Sequence, residues 1–191
     1  YFYYVQAYNY RGWLSKFDVA ETDRSTWLRY AEPKNFLTVV AKDYTLKADG
    51  AQVLFQQGAR LQLADKKASA YTVKVPVRTK EGKLQEEKVV LAANASLHEG
   101  YLPYTTNNII RSAFKFYDSV YGWGGLQQSV DCSSFISNAY RTVGIFLPRN
   151  ADEQETSAGI HKKMGNMNSA QRANVIKGLT PGSTLHMDGH V

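Results

Sequence analysis

The stretch Val130-Asp131-Cys132-Ser133-Ser134-Phe135 decides how the second half of this chain is read. Phe135, Ile136, Ala139, Tyr140 and Val143 follow it at helical spacing until Gly144, which predicts a helix opening near Asp131. Cys132 then falls on the inward face of the first turn. A helix N-terminus carries positive dipole charge and unpaired N–H groups, which favour a thiolate and can hold an oxyanion. A carboxylate beside a thiolate opposes the second negative charge, so Asp131 must be turned away, as a cap or as a binder of a cation. Cys132 is the only cysteine in 191 residues, which excludes an internal disulfide and any multi-cysteine metal site. The competing role for a lone cysteine is that of a small buried hydrophobe.

Upstream, Thr105 or Thr106 is placed to cap a helix whose apolar positions are Ile109, Ile110, Ala113, Phe114, Tyr117, Val120 and Tyr121. That helix is expected to end at Tyr121-Gly122-Trp123-Gly124-Gly125. The glycines at 122, 124 and 125 are not followed by Lys-Ser/Thr, so they allow a tight backbone rather than a phosphate loop. Downstream, a helix is expected over 169–177, Pro181-Gly182 introduces a strand over 183–187, and Asp188-Gly189 reads as a two-residue hairpin turn. Before residue 95 the punctuation differs. Residues 1–10 hold six aromatics and lead through the turn Asn9-Tyr10-Arg11-Gly12 into Trp13-Leu14-Ser15, a hairpin. A polar connector over 21–34 precedes short strand-like runs at 36–40, 53–55, 58–63, 71–78 and 84–91, with a turn at 80–83. Strands at this spacing predict a small barrel.

Lys and Arg number 23 against 17 Asp and Glu, a net charge of +6. The basic residues come as scattered pairs, Lys66-Lys67 and Lys162-Lys163, without a stripe, so no nucleic-acid partner is expected; a polyanionic surface such as a cell wall suits the charge equally. No apolar run approaches the roughly 20 residues of a transmembrane helix. No charged-then-apolar leader opens the chain, and the first residue, Tyr1, is read as the start of a processed, truncated or internally started piece.

A thiolate nucleophile needs a base on a separate element. His98, His161, His186 and His190 compete for that role. His186 and His190 share an H-x-x-x-H spacing, but no metalloprotease glutamate accompanies it and Asp188-Gly189 breaks any helix. In a two-residue hairpin, position 187 pairs with 190, so the two histidines face opposite ways. No metal and no cofactor is expected. His161 lies in a Gly- and Lys-containing stretch and His98 in a loop, both as surface residues.

In order and spacing, Tyr121-Gly122-Trp123-Gly124-Gly125, the 130–135 stretch, Leu147-Pro148-Arg149 with Gln154, Leu179-Thr180-Pro181-Gly182 and Gly189-His190-Val191 resemble the NlpC/P60 cysteine peptidases. By pattern more than by motif, the upstream strands resemble the bacterial SH3-type domains that precede this catalytic domain in γ-D-glutamyl-L-diamino acid endopeptidases. The resemblance implies an α+β chain: part of an SH3-type domain over 1–34, a second SH3-like barrel over 35–95, and a papain-like catalytic domain over 96–191, truncated at its C-terminus. It further implies that Cys132 attacks the γ-D-glutamyl carbonyl of a peptidoglycan stem peptide, with His190 as base. Tyr121 would lie beside the thiol and help bind substrate or oxyanion. Asp131 and Ser133 would hold the substrate's N-terminal ammonium, as in the subfamily that cleaves free muropeptides, where the SH3-type domain walls off part of the groove. Arg149 is read as architectural. Such an enzyme is expected in the bacterial envelope or outside the cell, or in the cytoplasm where muropeptides are recycled.

Two alternatives stay open. The aromatic-rich barrel could be a cell-wall binding module with Cys132 as a relic, or the scaffold could run a thiol acyltransferase or amidase reaction, since an amine resolves a thioester as water does. Cys132→Ala separates binder from enzyme, and product analysis with an added amine reveals the acyltransferase. In the family the residue that orients the histidine follows on the next strand, past Val191, so the fragment alone is expected to show little or no hydrolysis. Cleavage of an L-Ala-γ-D-Glu-diamino-acid peptide should rise when the chain is extended beyond Val191; equal activity in both forms would refute this.

Overall fold

The computed structural model describes residues 1–180 and 182–191; Pro181, from the expected Pro181-Gly182 turn, lies outside the described residues. In chain order the elements are β1 (Phe2–Gln6), β2 (Arg11–Ser15), α1 (Arg24–Ala31), β3 (Phe36–Val39), β4 (Asp43–Ala48), β5 (Ala51–Gln56), β6 (Arg60–Lys67), β7 (Ala70–Arg78), β8 (Leu84–Ala92), β9 (Leu97–Glu99), α2 (Thr106–Phe114), a 3₁₀ segment (Trp123–Gln128), α3 (Cys132–Arg141), α4 (Ala151–Glu155) and α5 (Ser169–Lys177). The result is a mixed α/β fold.

Alternation of side chains along the strands builds the first core. Leu37 and Val39 of β3, Leu61 of β6, Val73 and Val75 of β7, Leu91 of β8 and Leu97 of β9 all turn inward. They lie on one face of an antiparallel sheet ordered β8-β7-β6-β3-β9. The β4–β5 hairpin packs Leu46 and Ala48 against that face. Its turn, Asp49-Gly50, has φ +48° and +74°, the left-handed pair that matches strand twist.

The expected barrel does not close. β8 and β9 are the edge strands of the five-stranded sheet, which do not pair with each other, and the β4–β5 ladder is a separate two-stranded sheet stacked on it. Hydrophobic stacking, not continuous hydrogen bonding, joins the two layers. The supposed connector over 21–34 contains α1, capped by Asp23, which accepts from the Thr26 N–H at 2.9 Å. The first hairpin turns earlier than expected, with Ala7 N–H donating to the Tyr10 carbonyl at 2.8 Å, so Arg11 and Gly12 belong to β2.

In the α-helical part, Thr105 caps α2 through the Asn108 N–H, but the helix stops at Phe114 instead of continuing to Tyr121. Tight bonds from Lys115 N–H to Ser112 O and from Phe116 N–H to Ala113 O end it, and Asp118 reverses the chain at φ +63°. Phe116, outside the expected apolar stripe, is buried and meets Phe135 edge-on at 5.6 Å. Phe114 and Tyr117 are left 67% and 75% exposed. α3 buries Ala139, Tyr140 and, just beyond its end, Val143, while Phe135 and Ile136 are half-buried. A second, smaller core joins Ile109 of α2 to Tyr140 and Val143. α5 occupies the span expected of it. No strand forms over 183–187, where single bridge residues stand at Ser183 and at Met187, the latter paired with His190.

The sheet layers seat the helices through one turn. Gln57, fully buried, donates from Nε2 to the Ser112 carbonyl of α2 at 2.9 Å, and its own carbonyl accepts from Arg141 Nη2 of α3 at 2.7 Å. Gly58 follows at φ +79°, where a Cβ would sit 2.4 Å from Arg141 Cβ. Gly58→Ala is therefore predicted to destabilise the protein by about 1–3 kcal/mol, read as a lower midpoint in urea unfolding.

Candidate active site

Cys132 is the first residue of α3 and half-buried. A capping box sets that helix end: Asp131 accepts from Ser134 N–H at 2.9 Å, and Ser134 Oγ accepts from Asp131 N–H at 2.9 Å. Phe135 N–H bonds the Asp131 carbonyl at 2.9 Å. Among the described residues, no backbone carbonyl accepts from the N–H groups of Cys132 and Ser133, and that of Cys132 faces the Tyr121 phenol oxygen. Two donors at the positive end of a helix are thereby left next to the thiol.

Asp131 both caps and binds a cation. Its Oδ1 accepts from Ser134 N–H, Ser133 Oγ at 3.3 Å and Arg149 Nη1 at 3.2 Å, and its Oδ2 from Arg149 Nη2 at 2.6 Å and Gly124 N–H at 3.1 Å. Arg149 Nη1 also reaches Ser133 Oγ at 2.9 Å. Burial alone would push the Asp131 carboxyl upward, but Arg149 and the Ser134 donors hold it well below the usual carboxylate range. A carboxylate offers about four lone-pair sites, and these donors occupy them. Arg149 thus occupies the cation position on Asp131 and one lone pair of the Ser133 hydroxyl. The architectural reading of Arg149 matches its contacts.

Tyr121 does not continue α2. It forms an isolated parallel bridge with Val130, with Gly122 N–H on the Val130 carbonyl at 3.1 Å, which folds it back on the start of α3. Its phenol titrates above the ordinary tyrosine value, through partial desolvation first and then the adjacent Cys132 and Asp131 groups. The 3₁₀ segment between them is held by Gly124 on Asp131. Gly124 and Gly125 adopt φ +67° and +81° there, which explains those two glycines; at Gly122 a Cβ would sit 2.7 Å from the Leu126 carbonyl oxygen.

His190 is exposed and follows the Asp188-Gly189 turn. Met187 N–H bonds the His190 carbonyl at 3.1 Å and His190 N–H the Met187 carbonyl at 2.9 Å. No hydrogen bond joins its ring to Cys132 among the described residues. His186 is half-buried, with Nε2 2.9 Å from Thr184 Oγ1. His161 is exposed, and His98 lies on β9 rather than in a loop. Gln154 is buried on α4, and its Nε2 bonds the Ser133 carbonyl at 3.0 Å and the Pro148 carbonyl at 2.8 Å. Asp152, which the sequence reading missed, accepts from Gly189 N–H at 3.1 Å. Nothing local to its helix signals that contact.

Residues 118–188 match the NlpC/P60 family model. The matched span contains Tyr121, Asp131, Cys132 and Ser133 and ends two residues before His190. It defines an NlpC/P60 family domain over part of the chain. The fold is similar to that of an NlpC/P60 endopeptidase from Photobacterium damselae subsp. piscicida, at TM-score 0.65 and 24% identity over 85% of this chain and 35% of that one. It is also similar to an NlpC/P60 family protein from Bacillus cereus ATCC 10987, at TM-score 0.57 and 18% identity over 81% of this chain and 50% of that one. The chain thus spans between a third and a half of the length of these structures. No curated protein sequence matches it.

Removing Arg149 strands a buried carboxylate. Arg149→Ala is expected to lower stability by about 3 kcal/mol near neutral pH. Because the folded Asp131 carboxyl is depressed, the ion pair's contribution is complete well above the unfolded value of about 3.9, declines once pH drops below that value, and is lost only as pH falls through the depressed folded value. Urea unfolding of both proteins should show the gap closing in acid.

Proposed function

We propose that this protein is a cysteine endopeptidase of cell-wall peptides, hydrolysing the γ-D-glutamyl to diamino acid bond with Cys132 as nucleophile and His190 as base. The observation that carries the reading is Cys132 at the first position of a capped helix, with the Tyr121 phenol against it and two N–H groups beside it that no backbone carbonyl engages. The family match over the same residues supports the reaction class.

In this mechanism His190 takes the thiol proton and the Cys132 sulfur attacks the carbonyl carbon. A C–S bond forms, and the carbonyl π electrons move to oxygen, where the N–H groups of Cys132 and Ser133 and the Tyr121 hydroxyl receive the charge. Collapse breaks the C–N bond, and the departing amine takes the proton from the imidazolium. Water then attacks the thioester and gives its proton to His190. The C–S bond breaks, releasing the γ-glutamyl carboxylate and restoring the thiol. Asp131 is assigned here to fixing the helix end and Ser133, not to holding an ammonium, because Arg149 already fills that place. The upstream strands are read as an SH3-type region, and the proposed location is the bacterial envelope or exterior, with the cytoplasm, where muropeptides are recycled, as the alternative.

The test is hydrolysis of an L-Ala-γ-D-Glu-diamino-acid peptide by the full-length protein. Cys132→Ala should abolish turnover while leaving the fold intact by circular dichroism. Tyr121→Phe should lower kcat/KM by about 10²-fold, the range for one oxyanion donor. Unchanged turnover in Cys132→Ala would remove the proposal.

A further inference from the structure

We infer that Asp152 is a positioning residue that holds the turn bearing His190 in register with the helix bearing Cys132. The inference rests on the reading of His190 as the base and names the group that aims it. Oδ1 of Asp152 accepts the N–H of Gly189, the residue before His190, at 3.1 Å across 37 positions of sequence. Otherwise the turn is closed by its own Met187–His190 bonds, which shape it without fixing where it points.

The carboxylate is free for this task. The capping box of α4 uses Asn150 and Glu153, and Asp152 takes no part in it. α4 is in turn fastened to the nucleophile's helix. Gln154, buried two residues after Asp152, donates to the Ser133 carbonyl at 3.0 Å and to Ser137 Oγ at 3.0 Å. The path from imidazole to thiol therefore runs His190–Gly189–Asp152–Gln154–Ser133–Cys132, with hydrogen bonds at its two crossings between elements. Gly189 has φ +66°, with open space where a Cβ would lie; that conformation closes the turn and presents the N–H outward. An exposed base on a two-residue turn needs such a tether, since a displacement of about 1 Å in a catalytic group can cost about 10²-fold in rate.

The experiment is the second-order rate of Cys132 alkylation by iodoacetamide near neutral pH, which reads the thiolate population without any substrate. His190→Ala and Asp152→Ala should each slow alkylation by about tenfold, and Asp152→Asn, which keeps an acceptor oxygen, should restore most of the rate. In a His190→Ala background, Asp152→Ala should slow it no further, since the effect passes through the imidazole. An unchanged rate in Asp152→Ala, or an additional loss in the double variant, overturns the inference while leaving the Cys132–His190 pair standing. An unchanged rate in His190→Ala instead removes that pair, and the inference with it.

Discussion

The ion pair between Asp131 and Arg149 organises the site. A carboxylate 8% exposed is unfavourable unless donors replace its water. The donors come from three separate pieces of chain: Gly124 from the 3₁₀ segment, Ser133 and Ser134 from α3, and Arg149 from the segment before α4. Satisfying one charge therefore fixes three segments at once. It also settles the conflict of placing a carboxylate next to a thiol, because the guanidinium neutralises the charge that would otherwise oppose a thiolate.

A second constraint lies at the junction of sheet and helices. Gln57 is buried with its amide on α2 and its carbonyl on α3, and the absence of a side chain at Gly58 lets Arg141 close over the turn. Ser112 and Thr142 add a hydroxyl contact at 2.9 Å between the ends of the same helices. Because α3 carries the thiol at its opposite end, the β layers bear on the site through the orientation of that helix rather than through the reacting groups.

The helix pair itself has a thin core. Ile109, Tyr140 and Val143 are its buried residues, and Phe116 reaches Phe135 only because α2 ends early. Burial thus competes with periodicity: a continuous helix would keep Phe114 and Tyr117 in one stripe, whereas the observed turn trades both for one aromatic contact.

Features that depend on near neighbours were legible in the residues. The start of α3 at Asp131, the Thr105 cap, the 169–177 helix and the Asp188-Gly189 reversal each follow from caps, periods or turn chemistry within a few positions. β4 carried the same kind of signal, in the alternation of Tyr44, Leu46 and Ala48 before Asp49-Gly50, but α1 was hidden in a polar stretch. What folding alone decided is long-range: the stacking of β4–β5 in place of barrel closure, Phe116 displacing Phe114, Arg149 saturating Asp131, and Asp152 meeting Gly189. Each depends on which distant group arrives to satisfy a buried charge, an N–H or an apolar face, and no local pattern encodes that partner.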